Sequence, residues 1–541
     1  MARVPASHLY NPDVPAASRT LEKSLCAGFL DSVDRWPARP ALECDGIVLT
    51  YAELYERAAS VAAALQGADP DPPLAAVFAH RSITAYVGVL AVLLSGRGYV
   101  PLNRGFPPAR TRTMLARSGA RAVVADRASA EQLDTMLGGI EPLLIVLPDL
   151  EDVADARRRW SPHVVLGAGD LRNGAPGIDV GSDDVAYLLF TSGSTGEPKG
   201  IGVTHANVRH FIETACERYA IDANDRLTQT FDLTFDLSVF DLFVGWSRGA
   251  CVCVMPDHAF LRPDRYLERS RATVWFAVPS LAMLMQRLGM LGPSRYTSLR
   301  WSLFCGEALP VAVAEDWQAS APNSILENLY GPTELTIACT AYRWDPVEGA
   351  NEAEQGLVPI GEPLRGMHAL VLDADLHEVN AGALGELVMT GPQLAPGYWN
   401  DPARTASAFV RIPGFAGRWY RTGDLVRRPE GSSPLRYFGR LDHQVKVRGF
   451  RVELGEVEAA LREITGCPGA AVIGWPRTEA GYEGLVGFVL GDVDGQSVLS
   501  GLAERLPSYM VPDVLQALTE FPLNANGKVD RDALAKLLDQ G

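Results

Sequence analysis

From Leu49 to Gln66 apolar residues recur at helical spacing, with Thr50 placed as an N-cap and Glu53 three residues on, as in a capping box. The pattern predicts a helix there. Short apolar runs at Ala75–Val77, Ala122–Val124 and Leu143–Leu147 alternate with further helical stretches. Strands covered on both faces read as continuous apolar runs, so this rhythm predicts layered α/β structure with largely buried strands. The texture changes after Gly439-Arg440-Leu441-Asp442. Beyond it the pattern predicts a helix over Glu456–Ile464, strands at Ala470–Trp475 and Leu485–Leu490, and a helix over Ser497–Leu506 stopped by Pro507. The expected organisation is a large α/β unit, residues 1–441, and a small α+β unit, residues 442–541. The second unit has about 100 residues, enough for a core of its own.

Composition narrows the function classes. At roughly 150 residues per domain, 541 residues correspond to three or four compact units. With 47% hydrophobic and 21% charged residues, wholesale disorder is excluded. The net charge of -16 argues against a broadly basic nucleic-acid binder, so no nucleic-acid partner is expected. The longest apolar run, Tyr86–Leu94, is too short for a bilayer span of about 20 residues, so no membrane partner is expected either. The first residues lack the apolar core of a signal peptide. None of the 8 cysteines forms a CxxC pair, and Cys251-x-Cys253 lies in an apolar strand-like run that reads as core packing rather than a metal site. A cytoplasmic, reduced, enzyme-sized chain is the expectation.

The strongest local signal is the apolar run Val185–Phe190 followed by Thr191-Ser-Gly-Ser-Thr-Gly-Glu-Pro-Lys-Gly200. Three glycines allow backbone N–H groups to turn toward an anion, four hydroxyls donate further hydrogen bonds, and Lys199 adds charge. Such a loop suits a polyphosphate. It is not a Walker A loop, because Lys199 is followed by Gly200 rather than Ser or Thr. A merely flexible glycine-serine turn would need neither the preceding strand nor the Pro-Lys-Gly ending.

This segment resembles the phosphate loop of the adenylate-forming superfamily, which includes acyl-CoA synthetases, luciferases and nonribosomal peptide synthetase adenylation domains. The likeness extends over nearly the whole chain. Leu49-Thr-Tyr51, Gly98-Tyr-Val-Pro-Leu102, Tyr330-Gly-Pro-Thr-Glu334, Gly385-Glu-Leu, Gly397-Tyr-Trp and Tyr420-Arg-Thr-Gly-Asp424 are similar to the family motifs in their usual order. So are Gly439-Arg-Leu-Asp442, Lys446-Val-Arg-Gly-Phe-Arg-Val-Glu-Leu-Gly455 and Asn526-Gly-Lys528.

The resemblance implies a reaction and its parts. A carboxylate attacks the α-phosphate of ATP and expels pyrophosphate, and the acyl-adenylate then reacts with a thiol. Lys528 stands where the family places the cation that meets the developing charge, and Glu334 resembles the carboxylate that engages Mg²⁺, with Thr333 beside it. Phosphate contacts fall to Thr191, Ser192, Gly193, Ser194, Thr195, Gly196 and Lys199. Tyr330 offers a ring to adenine and Asn328 an amide to its edge. Asp424 is placed like the acceptor of the ribose hydroxyls, with Tyr437 and Arg440 nearby. Asp442 matches the hinge about which the small domain rotates.

The branch is read between Phe231 and Phe243. Amino-acid-activating members resemble this stretch, using the Asp of a Phe-Asp-x-Ser segment for the substrate ammonium. Asp232 and Asp236 compete, and the following Val-Phe-Asp spacing favours Asp236. A buried carboxylate there suits an ammonium and is costly without one. Carried over by local motif, the pocket comprises Leu237, Phe240, Ala277, Leu303, Cys305, Gly306, Leu329, Ile337 and Ala338, with Ala277 resting on the looser match around Phe276-Ala-Val-Pro279. No charged side chain is in this set, and large members leave little space. A small neutral amino acid is expected, alanine first and L over D, with serine, glycine or 2-aminobutyrate next. Leu303-Phe-Cys-Gly-Glu-Ala-Leu-Pro310 resembles D-alanine–carrier protein ligases, which keeps D-alanine in view. No carrier segment or condensation motif is recognised, so the expected acceptor is the phosphopantetheine arm of a separate acyl or peptidyl carrier protein. The alternative is an acyl- or aryl-CoA synthetase using free coenzyme A.

Overall fold

The structure of the chain is a computed structural model that describes residues 23–67, 73–172, 174, 180–193, 197–442, 444–467, 469–491, 493–523 and 529–539. The first expected helix forms over Tyr51–Leu65, and its capping box is complete: the Thr50 side chain accepts from Glu53 N–H, and the Glu53 carboxylate accepts from Thr50 N–H at 2.8 Å. Leu49 belongs instead to the preceding strand Ile47–Thr50, and the chain turns into the helix at Thr50. The apolar run at Tyr86–Leu94 lies in the helix Ile83–Leu94, with every residue from Thr84 onward buried. A helix apolar all round belongs between layers, and here one buried cluster joins it to strands of two different sheets. No helix among the described residues is long and apolar enough to cross a membrane.

Those two sheets make the large unit. One has seven strands in the order Val164–Gly167, Leu144–Leu147, Ala122–Ala125, Leu74–Phe78, Gly98–Leu102, Val185–Thr191 and Lys199–Thr204, parallel except for the last pair. The other has nine strands, with a parallel centre built from Ile325–Tyr330, Trp301–Phe304, Val274–Ala277, Arg226–Gln229, Cys251–Val254 and Pro40–Cys44. Ligands in such sheets gather at the carboxyl ends of the strands, and the loops after Trp301–Phe304 and Ile325–Tyr330 carry the candidate residues.

An antiparallel five-stranded sheet follows, in which Trp419–Arg427 pairs with Arg436–Arg440 so that Asp424 lies opposite Arg440. Sheet membership changes between Arg440 and Gln444. Strands from Gln444–Val447 onward form a separate five-stranded sheet. Helices Leu454–Thr465 and Gly495–Ala503 cover one face of it and Arg531–Asp539 the other, as alternate residues of Ala470–Arg477 show: Val472 joins the first cluster, Ala471 and Ile473 the second. The helix expected over Ser497–Leu506 ends at Ala503, because the last residues before Pro507 close a turn in which Arg505 and Leu506 N–H both reach Leu502 O.

Candidate active site

The phosphate-type loop connects two antiparallel strands whose last pair is Thr191 and Lys199. Its narrowness explains one glycine: a Cβ on Gly193 would lie 2.1 Å from the Glu197 carbonyl oxygen. The Thr191 hydroxyl is buried without a partner, which suits a loop made to receive hydrogen-bond acceptors. Ser194, Thr195 and Gly196 lie outside the described residues, as does Lys528.

Around this loop the small unit closes in. Ser192 Oγ donates to Arg451 O at 2.8 Å, and Gly193 N–H donates to Glu456 at 3.0 Å. Lys199 Nζ lies 3.7 Å from Glu334 and 3.6 Å from Glu453, over the Tyr398 ring. Burial and the neighbouring Arg451 lower the proton affinity of Lys199, against the pull of the two carboxylates. Glu334 is fully buried, accepts from Tyr398 Oη at 2.9 Å and pairs with Arg451 at 3.2 Å. Burial alone would raise its pKa, but Arg451 and Lys199 hold it at about 2. Beside this group lies a hollow of about 520 Å³ lined by Lys199, Arg404, Arg421, Arg440, Arg451 and Arg531. Glu386, Asp442, Glu453 and Glu458 line it too, and Arg421, Arg440, Arg451 and Arg531 each pair with a carboxylate, so the positive charge of the hollow is largely compensated in this arrangement.

The nucleotide-type residues occupy two neighbouring places. Tyr330 donates its hydroxyl to Asp424, whose other oxygen takes Arg440 Nη1 at 2.7 Å. Arg440 also grips Asp442 through two bonds of 2.7 Å, so the expected hinge residue is tied to the expected ribose site. Tyr437 is half-buried next to Asp424. Asn328 is buried, with its amide nitrogen engaged by the carbonyls of Val358 and Pro359 and its Oδ1 unpartnered. It therefore offers an acceptor, not a donor.

The two competing aspartates separate clearly. Asp232 is engaged by His80 Nδ1 and Asn103 Nδ2, each at 2.8 Å, and by the Thr234 hydroxyl and N–H; despite burial, His80 keeps its pKa at about 2. Asp236 meets the Ile337 N–H at 3.1 Å, the Thr333 hydroxyl and the Leu237 N–H, with no cationic side chain paired to it among the described residues, and burial pushes it up to about 7. Leu237, Phe240, Leu303, Cys305, Leu329, Ile337 and Ala338 all belong to the extended buried core of the large unit. Burial pushes the Cys305 thiol up to about 12, so it is an inert wall. Gly306 follows with φ +95°.

Ala277, expected in the pocket, lies apart from these residues. It packs with Trp275 behind the sheet, in another cluster. Phe276, one residue earlier, faces Phe240 with ring centroids 4.8 Å apart and belongs to the pocket's cluster. The looser match slipped by one residue, and in a strand such a slip exchanges the faces.

A larger cavity of about 920 Å³ lies between the two units, with walls that include Asn103, Phe235, Leu237, Val278, Glu307 and Phe450. Phe450 comes from the small unit and meets Phe235 edge-on at 5.2 Å. Arg451, Glu453 and Tyr398 lie within motifs that marked the resemblance, yet their side chains had no assigned role. Arg110, which reaches Glu456 at 2.5 Å, and Gln393 carried no signal in the sequence.

Comparison with known proteins gives a consistent result. The profile of AMP-binding enzymes matches residues 29–399, and that of the AMP-binding enzyme C-terminal domain matches residues 456–528. Tyrocidine synthase 3 of Brevibacillus parabrevis is 34% identical over 531 residues, which are 96% of this chain and 8% of that protein. The chain thus spans a small fraction of such relatives' length. The L-proline–[L-prolyl-carrier protein] ligase of Pseudomonas fluorescens is 33% identical over 527 residues, 96% of this chain and 100% of the other. The Vibrio cholerae adenylation domain AlmE, solved with glycyl-adenosine-5'-phosphate, superposes with a TM-score of 0.85 at 31% identity and complete coverage of both chains.

Proposed function

The chain belongs to the family of AMP-binding enzymes, and we propose that it uses ATP to activate a small neutral α-amino acid, L-alanine first, and passes it to the phosphopantetheine thiol of a carrier protein. The observation that carries this reading is Asp236: a buried carboxylate met by the Ile337 and Leu237 N–H groups and the Thr333 hydroxyl, with no cationic side chain paired to it among the described residues. An α-ammonium supplies the charge that such a group lacks. An acyl-CoA synthetase has no use for it. The pocket walls bear no charge, and the Phe276–Phe240 contact narrows them further, which supports a methyl-sized side chain. A relative that ligates proline and a neighbour that holds glycyl-adenosine-5'-phosphate support the same reaction class.

In the first half-reaction a substrate carboxylate oxygen bonds to the α-phosphorus as the bond to pyrophosphate breaks. Ser192, Gly193 and Lys199 receive the phosphates, Tyr330 and the free Oδ1 of Asn328 receive adenine, and Asp424 with Arg440 and Tyr437 receives the ribose. Lys528 supplies the cation that meets the transition state, by its place in Asn526-Gly-Lys528. Glu334 is ionised and buried, which fits a Mg²⁺ ligand; the ion's remaining ligands would be phosphate oxygens and water. Bound there, Mg²⁺ neutralises charge on the leaving group. Among the described residues, clusters of three potential metal ligands occur only elsewhere, at Glu43, Cys251 and Cys253 and at Asp373, Asp375 and His377. In the first of these the Arg226 guanidinium already pairs with Glu43.

The carrier thiol would enter by the large cavity between the units, whose inner wall includes Leu237 beside Asp236. An ATP–pyrophosphate exchange panel over all amino acids, with both alanine enantiomers, tests the reading. Alanine should lead, with serine, glycine or 2-aminobutyrate behind it. Robust exchange with an aromatic or charged amino acid, or with none, would overturn it; coenzyme A as acceptor is tested alongside.

A further inference from the structure

The segment Glu334–Ala338 carries both the proposed metal carboxylate and the N–H that meets Asp236. It does so in a backbone that side chains rarely adopt: Thr336 has φ +58° and Ile337 φ +72°, and both are β-branched. A backbone of this kind persists only where its surroundings hold it. The holding group is Gln393. The two N–H groups of its Nε2 face three carbonyls of the segment, Ala338 at 2.7 Å and, sharing one N–H, Leu335 and Thr336 at 3.2 Å each. In return the Thr336 hydroxyl donates to Gln393 O at 2.6 Å. Gln393 is 0% exposed, so water cannot replace these bonds. Two residues on, Ala395 N–H reaches Glu334 O at 3.0 Å, extending the clasp along the segment.

We infer that Gln393 is a positioning residue that turns the Ile337 N–H onto Asp236 and thereby sets the affinity for the substrate ammonium. This rests on the amino-acid reading above. The Ile337 N–H is one of three donors to Asp236, beside the Thr333 hydroxyl and the Leu237 N–H, so losing it loosens the orientation of the carboxylate toward the ammonium. Gln393 touches neither Asp236 nor any proposed substrate atom. Its influence passes through the backbone of Thr336 and Ile337.

Two stable adenylate mimics separate this role from simple structural support: 5'-O-(alanylsulfamoyl)adenosine and its propionyl counterpart, which lacks only the ammonium. Their affinities are measured by calorimetry for the wild type, Gln393→Leu and Gln393→Met. Both variants keep the bulk and remove the donors. The expected result is a loss of tenfold or more for the alanyl compound and less than about threefold for the propionyl one, a difference of one charge-assisted hydrogen bond. Equal losses for both compounds, or no loss for either, would overturn the inference. Binding of the propionyl compound reports that the variants are folded; if both variants fail to bind either compound, the residue is structural and the inference falls. Should the wild type itself bind the two compounds equally, the role of Asp236 fails instead, and the amino-acid reading with it.

Discussion

Glu456, in the first turn of the small unit's helix Leu454–Thr465, accepts the Gly193 N–H of the phosphate loop at 3.0 Å while its other oxygen meets Arg110 at 2.5 Å. A carboxylate thus sits on a donor that a phosphate would use. Ser192 and Lys199 are engaged in the same way, by Arg451 O and Glu453. Polyphosphate and this docked arrangement therefore compete for one set of donors. Methylenediphosphonate, an unreactive pyrophosphate mimic, should slow transfer of a preformed aminoacyl-adenylate to the carrier. Glu456→Ala removes one partner of a buried ion pair, a loss typically of about 3–5 kcal/mol. Transfer should fall tenfold or more while ATP–pyrophosphate exchange stays within about threefold. Equal effects on both half-reactions would show the contact to be incidental.

Asp236 binds an ammonium only when ionised, and burial pushes its pKa up to about 7 in the free enzyme. The apparent KM for alanine should be flat above that pH and rise toward tenfold per unit below it. Stability of the free enzyme runs the other way. The folded state holds its proton more tightly than an unfolded Asp of pKa about 3.9, so this group lowers stability as pH rises from about 4 to about 7. Asp236→Asn should remove the acid limb from KM. An unchanged limb in that variant would assign it to another group.

In the proposed substrate pocket Leu329 is a wall residue with 2% exposure. Leu329→Ala opens space for a larger side chain at a folding cost of about 2–5 kcal/mol. Exchange with valine or leucine should emerge from background while alanine weakens, and the melting temperature should fall. If selectivity is untouched, Leu329 does not face the substrate.

Lys528 and Asp442 should give opposite patterns. Lys528→Ala should slow adenylation by roughly 10²–10³ or more, as loss of a transition-state contact does, and spare transfer from a supplied adenylate. Asp442→Pro locks φ near -65° at the proposed hinge. It should spare adenylation and cripple transfer. Undiminished transfer in Asp442→Pro would move the rotation point elsewhere.

Much of the fold was legible because its signals are local. The Thr50–Glu53 capping box, the apolar runs that became buried strands, and the change of texture near Asp442 each depend on neighbours within a few residues. The phosphate-type loop was legible for the same reason: strand, glycines and lysine follow one another in the chain. The pocket was legible only in part. Its proposed members come from separate strands, and at Phe276-Ala277 a loose match chose Ala277, whereas Phe276 is the one that packs with Phe240.

What the sequence by itself determined was the set of chemical groups and the short segments that present them. It favoured Asp236 over Asp232 only by the Val-Phe-Asp spacing that follows, since each stands in a Phe-Asp-Leu segment with a hydroxyl two residues on. The tertiary structure told them apart, because His80 and Asn103 come from other strands' ends to engage Asp232, whereas the Ile337 N–H reaches Asp236. Gln393 and Arg110 are of the same kind. Their partners lie 55 to 58 and 346 residues away, and hydrogen bonds across such separations follow from how layers pack, which no local pattern encodes.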